Sequence, residues 1–201
     1  TANDALVERG CLVVPGGGLS SSSRLQMMLD CECTVVCCTP TYALHLVSVA
    51  NEHGIDLKGS HVSRLIVAGE PGGSVPEIRR AIEEPWGARV IDHAGASELG
   101  AWGFPASDDR GLHIIESEFI AEFVVFDEDG RAVRFAKPGE ESELVMTNLG
   151  RSGGPIVRYR TGDIVRPVWD HGLPCQFVKL DGGVIGRADD MLVIRGVNVF
   201  P

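Results

Sequence analysis

Residues 65–82 read LIVAGEPGGSVPEIRRAI, an apolar run, a Gly/Pro turn and a helix start in direct succession. LIVAGE (65–70) has the length and content of a strand. Ser74 and Glu77 form an S-x-x-E capping box, in which each side chain can satisfy a free N–H of the first helical turn. Ile78 and Ile82 then share one helical face, and Pro85 predicts the end. A strand that turns at once into an amphipathic helix is half of a βαβ unit.

The same alternation extends on both sides. Upstream, CTVVCCT (33–39) reads as a buried strand. Thr39 and Pro40 read as N-cap and first helical residue, with Leu44, Leu46, Val47 and Ala50 at helical spacing until Gly54. CLVVP (11–15) reads as another buried strand, and GGGLSSSSRLQMMLD after it as a turn and a short helix. Downstream, RVIDHAG (89–95) is a further strand. This alternation predicts an α/β fold with a layered αβαβ parallel sheet over residues 1–110.

Beyond residue 110 the period changes to two. EFIAEFVVF, ELVMTNL, IVRYRTGDIVRPV and QFVKL are separated by turn segments such as DEDG and KPGEE. Alternating runs between such turns predict an antiparallel β subdomain over 111–186. The change falls at 105–112 and reads as a seam between subdomains rather than a linker.

The chain has 201 residues, 44% hydrophobic and 23% charged, which is ordinary globular composition. A net charge of -10 argues against nucleic acid as a partner, which demands a clustered basic face. No apolar run reaches the roughly 20 residues of a membrane span. A soluble, cytoplasmic protein with no membrane partner is expected. Four of the six cysteines lie within residues 31–38, yet no CxxC pair exists. Reduced core or near-surface thiols are therefore expected, with a metal site as the minor alternative.

Five segments invite a chemical reading. PGGGLSSSS (15–23) is rich in glycine, but no GK[ST] follows, so a plain turn is favoured over a phosphate loop. AGEPGG (68–73) leaves the carboxyl end of a strand, where ligands of open α/β sheets sit. Its bland alternative is a Gly/Pro turn. DHAGASELG (92–100) sets Ser97 beside Glu98 on a glycine-bent turn, suited to phosphate and to Mg²⁺, which often takes one protein carboxylate plus phosphate oxygens. Its alternative is a helix start. RYRTGDI (158–164) places Asp163 after a turn glycine, flanked by Arg158 and Arg160. Such an aspartate can accept both hydroxyls of a ribose or be an ordinary turn residue. GRADDMLVIRGVNVFP (186–201) joins an arginine and two aspartates to an apolar strand.

In this order and spacing the last four segments resemble phenylacetate–CoA ligases and their relatives among adenylate-forming enzymes. GRADDMLVIRGVNVFP is the most specific of them, and TPTYAL (39–44) and GLHIIESEFIAE (111–122) add to the likeness. The resemblance covers the chain from about residue 30 onward. It implies part of the large N-terminal domain of such an enzyme, with an interdomain hinge at 187–201. Gly69, Glu70 and Pro71 would border the adenine, and Asp92 and Gly95 would also serve the nucleotide. Asp163 would hold the ribose, with Arg187 nearby. Ser97 would contact the α-phosphate, Glu98 would hold Mg²⁺, and Asp189 would be the hinge. Tyr42, Ala94 and Ala96 would line the acid pocket. Where many relatives carry an aromatic residue against the adenine, this chain has Ala94. The family's β/γ-phosphate loop would lie upstream of Thr1 and its catalytic lysine beyond Pro201. His93 and His113 read as structural.

The implied reaction joins a carboxylic acid, aromatic or arylacetic, to coenzyme A at the expense of ATP, through an acyl-adenylate. The partners are then the acid, ATP and coenzyme A. Nothing in the sequence decides between monomer and homodimer. Two alternatives stay open: an adenylyltransferase that moves AMP onto a deazaflavin, and a non-catalytic fragment of such an enzyme.

Overall fold

The computed structural model describes residues 2–127, 129–188, 192–194 and 197–199. Helix α1 spans Ala2–Glu8 and α2 Ser21–Asp30, followed by strand β1, Val35–Cys38. Helix α3 is Pro40–His53, β2 Arg64–Val67, α4 Pro76–Trp86 and β3 Arg89–Asp92. The strands β1, β2 and β3 form a parallel sheet in that order. Thr39 caps α3 through its hydroxyl, and Gly54 ends it in the left-handed region at φ +66°. Trp86 ties α4 to α3 by donating its indole N–H to the Ala43 carbonyl, 3.3 Å away. Leu25, Leu46, Leu65, Ile82, Trp86 and Val90 make the core between helices and sheet.

The remaining strands are β4 Ala94–Ala96, β5 Gly100–Pro105, β6 Gly111–Ile114, β7 Phe119–Phe126, β8 Ala132–Phe135, β9 Ser142–Asn148, β10 Tyr159–Val168 and β11 Lys179–Arg187. They form one eight-stranded sheet in the order β4-β5-β6-β11-β10-β9-β7-β8, antiparallel at each junction. Its core holds Trp102, Leu112, Ile114, Leu144, Met146, Val165 and Leu180. Beyond it the backbone pairs β12, Leu192–Ile194, with β13, Val197–Val199. A parallel α/β layer followed by antiparallel β is the architecture that the alternation predicts.

Several local expectations are corrected. CLVVP is not a strand: among the described residues no strand pairs with it, and Leu12 is 90% exposed. β1 is an edge strand, so Cys37 is exposed and Cys38 only half-buried, rather than core. The capping box does not form. Ser74 instead donates to the buried Asp92 carboxylate at 2.5 Å, and α4 starts at Pro76 without a side-chain cap. The helix begins one residue later than the S-x-x-E spacing requires, with Val75 at the N-cap, so Ser74 is out of register to cap it and is free to serve the carboxylate. Finally, parallel pairing ends at Asp92 and antiparallel pairing starts at Ala94, so RVIDHAG is divided between two sheets. The switch precedes the 105–112 change in sequence pattern.

Candidate nucleotide-binding cleft

β2 and β3 both end against the antiparallel sheet, and a cleft of about 270 Å³ opens there. From the parallel layer it takes Gly69, Glu70, Pro71 and Gly72 after β2, and Asp92 and His93 at the end of β3. From the hairpin that follows come Ala94, Gly95, Ala96, Glu98 and Trp102. Leu112, Tyr159, Thr161, Asp163, Val184 and Arg187 close it from the opposite side.

The loop after β2 is shaped by backbone. Gly69 has φ +95° and Gly72 φ +142°, where an L side chain is strained. Glu70 accepts the backbone N–H of Thr41 at 2.6 Å, in the first turn of α3, where a helix favours negative charge. Gly73 admits no substituent, since a Cβ there would overlap the Asp92 carboxylate and Val67. Asp92 is 7% exposed and accepts from Ser74 and from the His93 backbone N–H, 3.0 Å away. Burial raises the Asp92 carboxyl above its ordinary value, opposed by the bond from Ser74. Gly183 of β11 packs over this pair, with space for a Cβ only 3.0 Å from the Ser74 hydroxyl.

Ser97 and Glu98 do not start a helix. They occupy the turn of the β4–β5 hairpin, both exposed. Glu98 lines the cleft, and its backbone carbonyl accepts from Arg151. Ser97 lies in the same turn but outside the cleft wall. Among the described residues no cluster of three His, Cys, Asp or Glu side chains is placed to hold a metal. A single carboxylate at the mouth of a cleft fits a hard cation that draws its other ligands from phosphate and water.

Asp163 lies on β10, not on a free turn, at a break in the pairing between β9 and β10. Its expected neighbours Arg158 and Arg160 face elsewhere, bound to Glu122 at 2.9 Å and Glu143 at 2.6 Å. Arg187 meets it instead, through Nη1 at 3.2 Å from Oδ1 while also donating to the Thr161 carbonyl at 3.0 Å. Gly162 makes room for this guanidinium, since a Cβ would stand 3.0 Å from Nη2.

Tyr42 is not in this cleft. It lines a second cavity of about 550 Å³ between α2, α3 and β1, with Arg24, Leu25, Met28, Cys38, Thr39 and Leu46 among its walls. Arg24 donates to the Tyr42 hydroxyl and lies over its ring, 5.1 Å from the centroid. Thr39 in the cavity wall stands near Gly69 of the cleft, where a Cβ would lie 3.5 Å from the Thr39 methyl. Asp189 lies outside the described residues. The structure thus gathers Gly69, Glu70, Pro71, Asp92, Ala94, Gly95, Ala96, Glu98, Asp163 and Arg187, and separates Tyr42 and Ser97 from them. Trp102, Leu112, Tyr159, Thr161 and Val184 are wall residues that sequence reasoning misses, because strand residues carry no turn signature. His93 also reaches the wall, with Nδ1 2.9 Å from the Gly103 carbonyl, while His113 is buried with Nδ1 3.0 Å from that of Phe177.

No family model matches the chain. Phenylacetate–coenzyme A ligases do: that of Pseudomonas putida is 33% identical over 195 residues, and that of Escherichia coli (strain K12) 32% over 196. Each alignment takes in 96% of this chain, but only 42% and 43% of the relatives. Among solved structures, a 2-hydroxyisobutyryl-CoA ligase bound to an acyl-AMP is 30% identical with a TM-score of 0.79. That match covers 94% of this chain and 40% of the other. An anthranilate–CoA ligase with anthranoyl-AMP, 19% identical at a TM-score of 0.64, shares the fold; it covers 95% of this chain and 37% of the other. The chain spans about two fifths of the length of the curated relatives it matches, and over that length it is similar to phenylacetate–CoA ligases and shares its fold with solved acyl-adenylate-bound CoA ligases.

Proposed function

We propose that the protein is an ATP-dependent carboxylic acid–CoA ligase acting on an aromatic or arylacetic acid through an acyl-adenylate. The observation that carries this reading is the cleft itself. Segments as far apart as Gly69, Asp92, Glu98, Asp163 and Arg187 converge on one space, in a chain that aligns with CoA ligases. Because the chain covers only part of those relatives, the activity is proposed for a polypeptide of their full length.

In this reading the base lies against Gly69–Pro71, Ala94 and Gly95, with Asp92 beneath it. Asp163 accepts the ribose hydroxyls while Arg187 holds its carboxylate in place. Ser97 turns toward the α-phosphate, and Glu98 faces the phosphates as a ligand for Mg²⁺, which when bound would neutralise developing charge there. A carboxylate oxygen of the acid attacks the α-phosphorus, the bond to pyrophosphate breaks, and acyl-AMP results. The thiol of coenzyme A then displaces AMP at the acyl carbon to give the thioester. Held groups accelerate both steps chiefly by orientation and charge stabilisation. Ala96 and the cavity beyond Thr39, with Tyr42 in its wall, receive the hydrocarbon part of the acid. Asp189 serves as the pivot of the interdomain hinge.

The deazaflavin alternative is not carried forward, since the relatives reported above are CoA ligases. ATP–pyrophosphate exchange by the full-length protein, with phenylacetate, benzoate, anthranilate and 2-hydroxyisobutyrate, tests the proposal. Exchange with an aromatic acid and formation of its CoA thioester are expected; no exchange with any acid would sink it. The 201-residue chain alone is expected to bind AMP but to show little adenylation.

A further inference from the structure

Trp102 is 1% exposed, yet its indole N–H has no hydrogen-bond partner among the described residues. The other fully buried tryptophan, Trp86, shows the usual arrangement, with its N–H on a backbone carbonyl. Buried donors are nearly always paired, and an unpaired one in a site wall is a donor in reserve. Trp102 lines the nucleotide cleft. It stands on β5 beside Gly103, which pairs with Ala94 across the hairpin. A Cβ on Gly103 would be 3.0 Å from that of Ala94, so two very small residues meet here and Trp102 supplies the aromatic bulk nearby.

We propose that the Trp102 indole N–H is a ligand-binding donor, satisfied by an acceptor on the base of a bound adenine nucleotide. This rests on the nucleotide reading of the cleft. Its neighbours Ala94 and Leu112 are apolar, whereas Glu98, Asp163 and Arg187 mark the polar side. A neutral donor in apolar surroundings suits a ring nitrogen better than a charged phosphate. The N–H is screened from water in the free chain, so solvent does not satisfy it. Pairing requires the indole edge to turn toward the cleft that Trp102 lines.

The test is an AMP titration of the ¹⁵N-labelled chain, following the indole N–H resonances, with Trp102→Phe to assign the signal. At saturation the Trp102 resonance moves downfield while those of Trp86 and Trp169 stay. Trp102→Phe keeps a buried ring and loses no bond in the free state. Its melting temperature is therefore expected to fall only by the cavity cost of the smaller ring, while AMP binds roughly five- to tenfold more weakly. A residue that only fills space gives equal affinity instead. An unmoved Trp102 resonance at saturation, or wild-type affinity in Trp102→Phe, overturns the proposal. Should that variant fail to fold, the wild-type resonance decides alone. Absence of any shift at residues 69–72 and 94–98 shows that AMP does not bind, and defeats the nucleotide reading together with this one.

Discussion

The cleft and the cavity are built by different means. The cleft is assembled from loops and strand ends spread between Gly69 and Arg187, and its walls set glycine backbone and carboxylates against strand side chains such as Trp102, Leu112 and Tyr159. The cavity comes from one continuous region between Val14 and Leu46, and its walls are largely aliphatic and sulfur-bearing side chains, with Arg24 and Tyr42 among them. Glycine fixes the first through conformation, and packing fixes the second. Substitutions should therefore separate the two, with stability effects dominating at the cavity and affinity effects at the cleft.

The largest effect is expected on the cavity side. Leu46 is 2% exposed in the α-helical core, and Leu46→Ala should cost about 2–5 kcal/mol in urea unfolding. AMP affinity of the folded protein should remain that of the wild type; a loss would erase the contrast. Gly73→Ala tests the border, since the added methyl must displace Asp92 or Val67. A cost of about 1–3 kcal/mol is expected, together with weakened AMP binding by calorimetry. Asp163→Ala should leave the melting temperature nearly unchanged and weaken AMP roughly tenfold, about 1.4 kcal/mol. Equal affinity would remove Asp163 from the site.

Two smaller effects sharpen the chemistry. Asp92 has its folded-state value raised by burial, so the native state holds its proton more tightly than the unfolded chain. That contribution is complete below the ordinary value of 3.8 and is lost as pH rises through the folded value. Relative to Asp92→Asn, the wild type should lose stability as pH rises through this window, measured by thermal melts. On the cavity wall, burial, with Cys37 and Glu70, pushes the Cys38 thiol up to about 12. Iodoacetamide at pH 8 should therefore label exposed Cys11 and Cys31 well before Cys38, as read by peptide mass spectrometry.

Sequence reading succeeds here where a local rule dominates. Thr39–Pro40 and Gly54 bracket α3 as written, and the period-two runs become β7, β9 and β10. The glycines and acids of the cleft are also legible, because turns and carboxylates advertise themselves. It fails where a distant partner outbids a near one. Ser74 leaves its helix for Asp92, 18 residues on, and Arg160 leaves Asp163 for Glu143. CLVVP has the composition of a strand but no pairing neighbour among the described residues. Ala94 to Pro105 form a hairpin rich in glycine and alanine whose alternation is too weak to read, so Trp102 stays hidden from pattern alone.

The bond from the Thr41 N–H to Glu70 joins the two chambers through a single proton donor. Glu70 borders the cleft, while Thr41 belongs to the helix whose next residue, Tyr42, faces the cavity. An occupant of the cleft that draws the Glu70 carboxylate to itself must take it from the start of α3. Linkage then runs both ways: whatever steadies that helix end from the cavity side changes affinity in the cleft by the same factor. Ligands placed in the cleft and in the cavity would sense each other through this carboxylate.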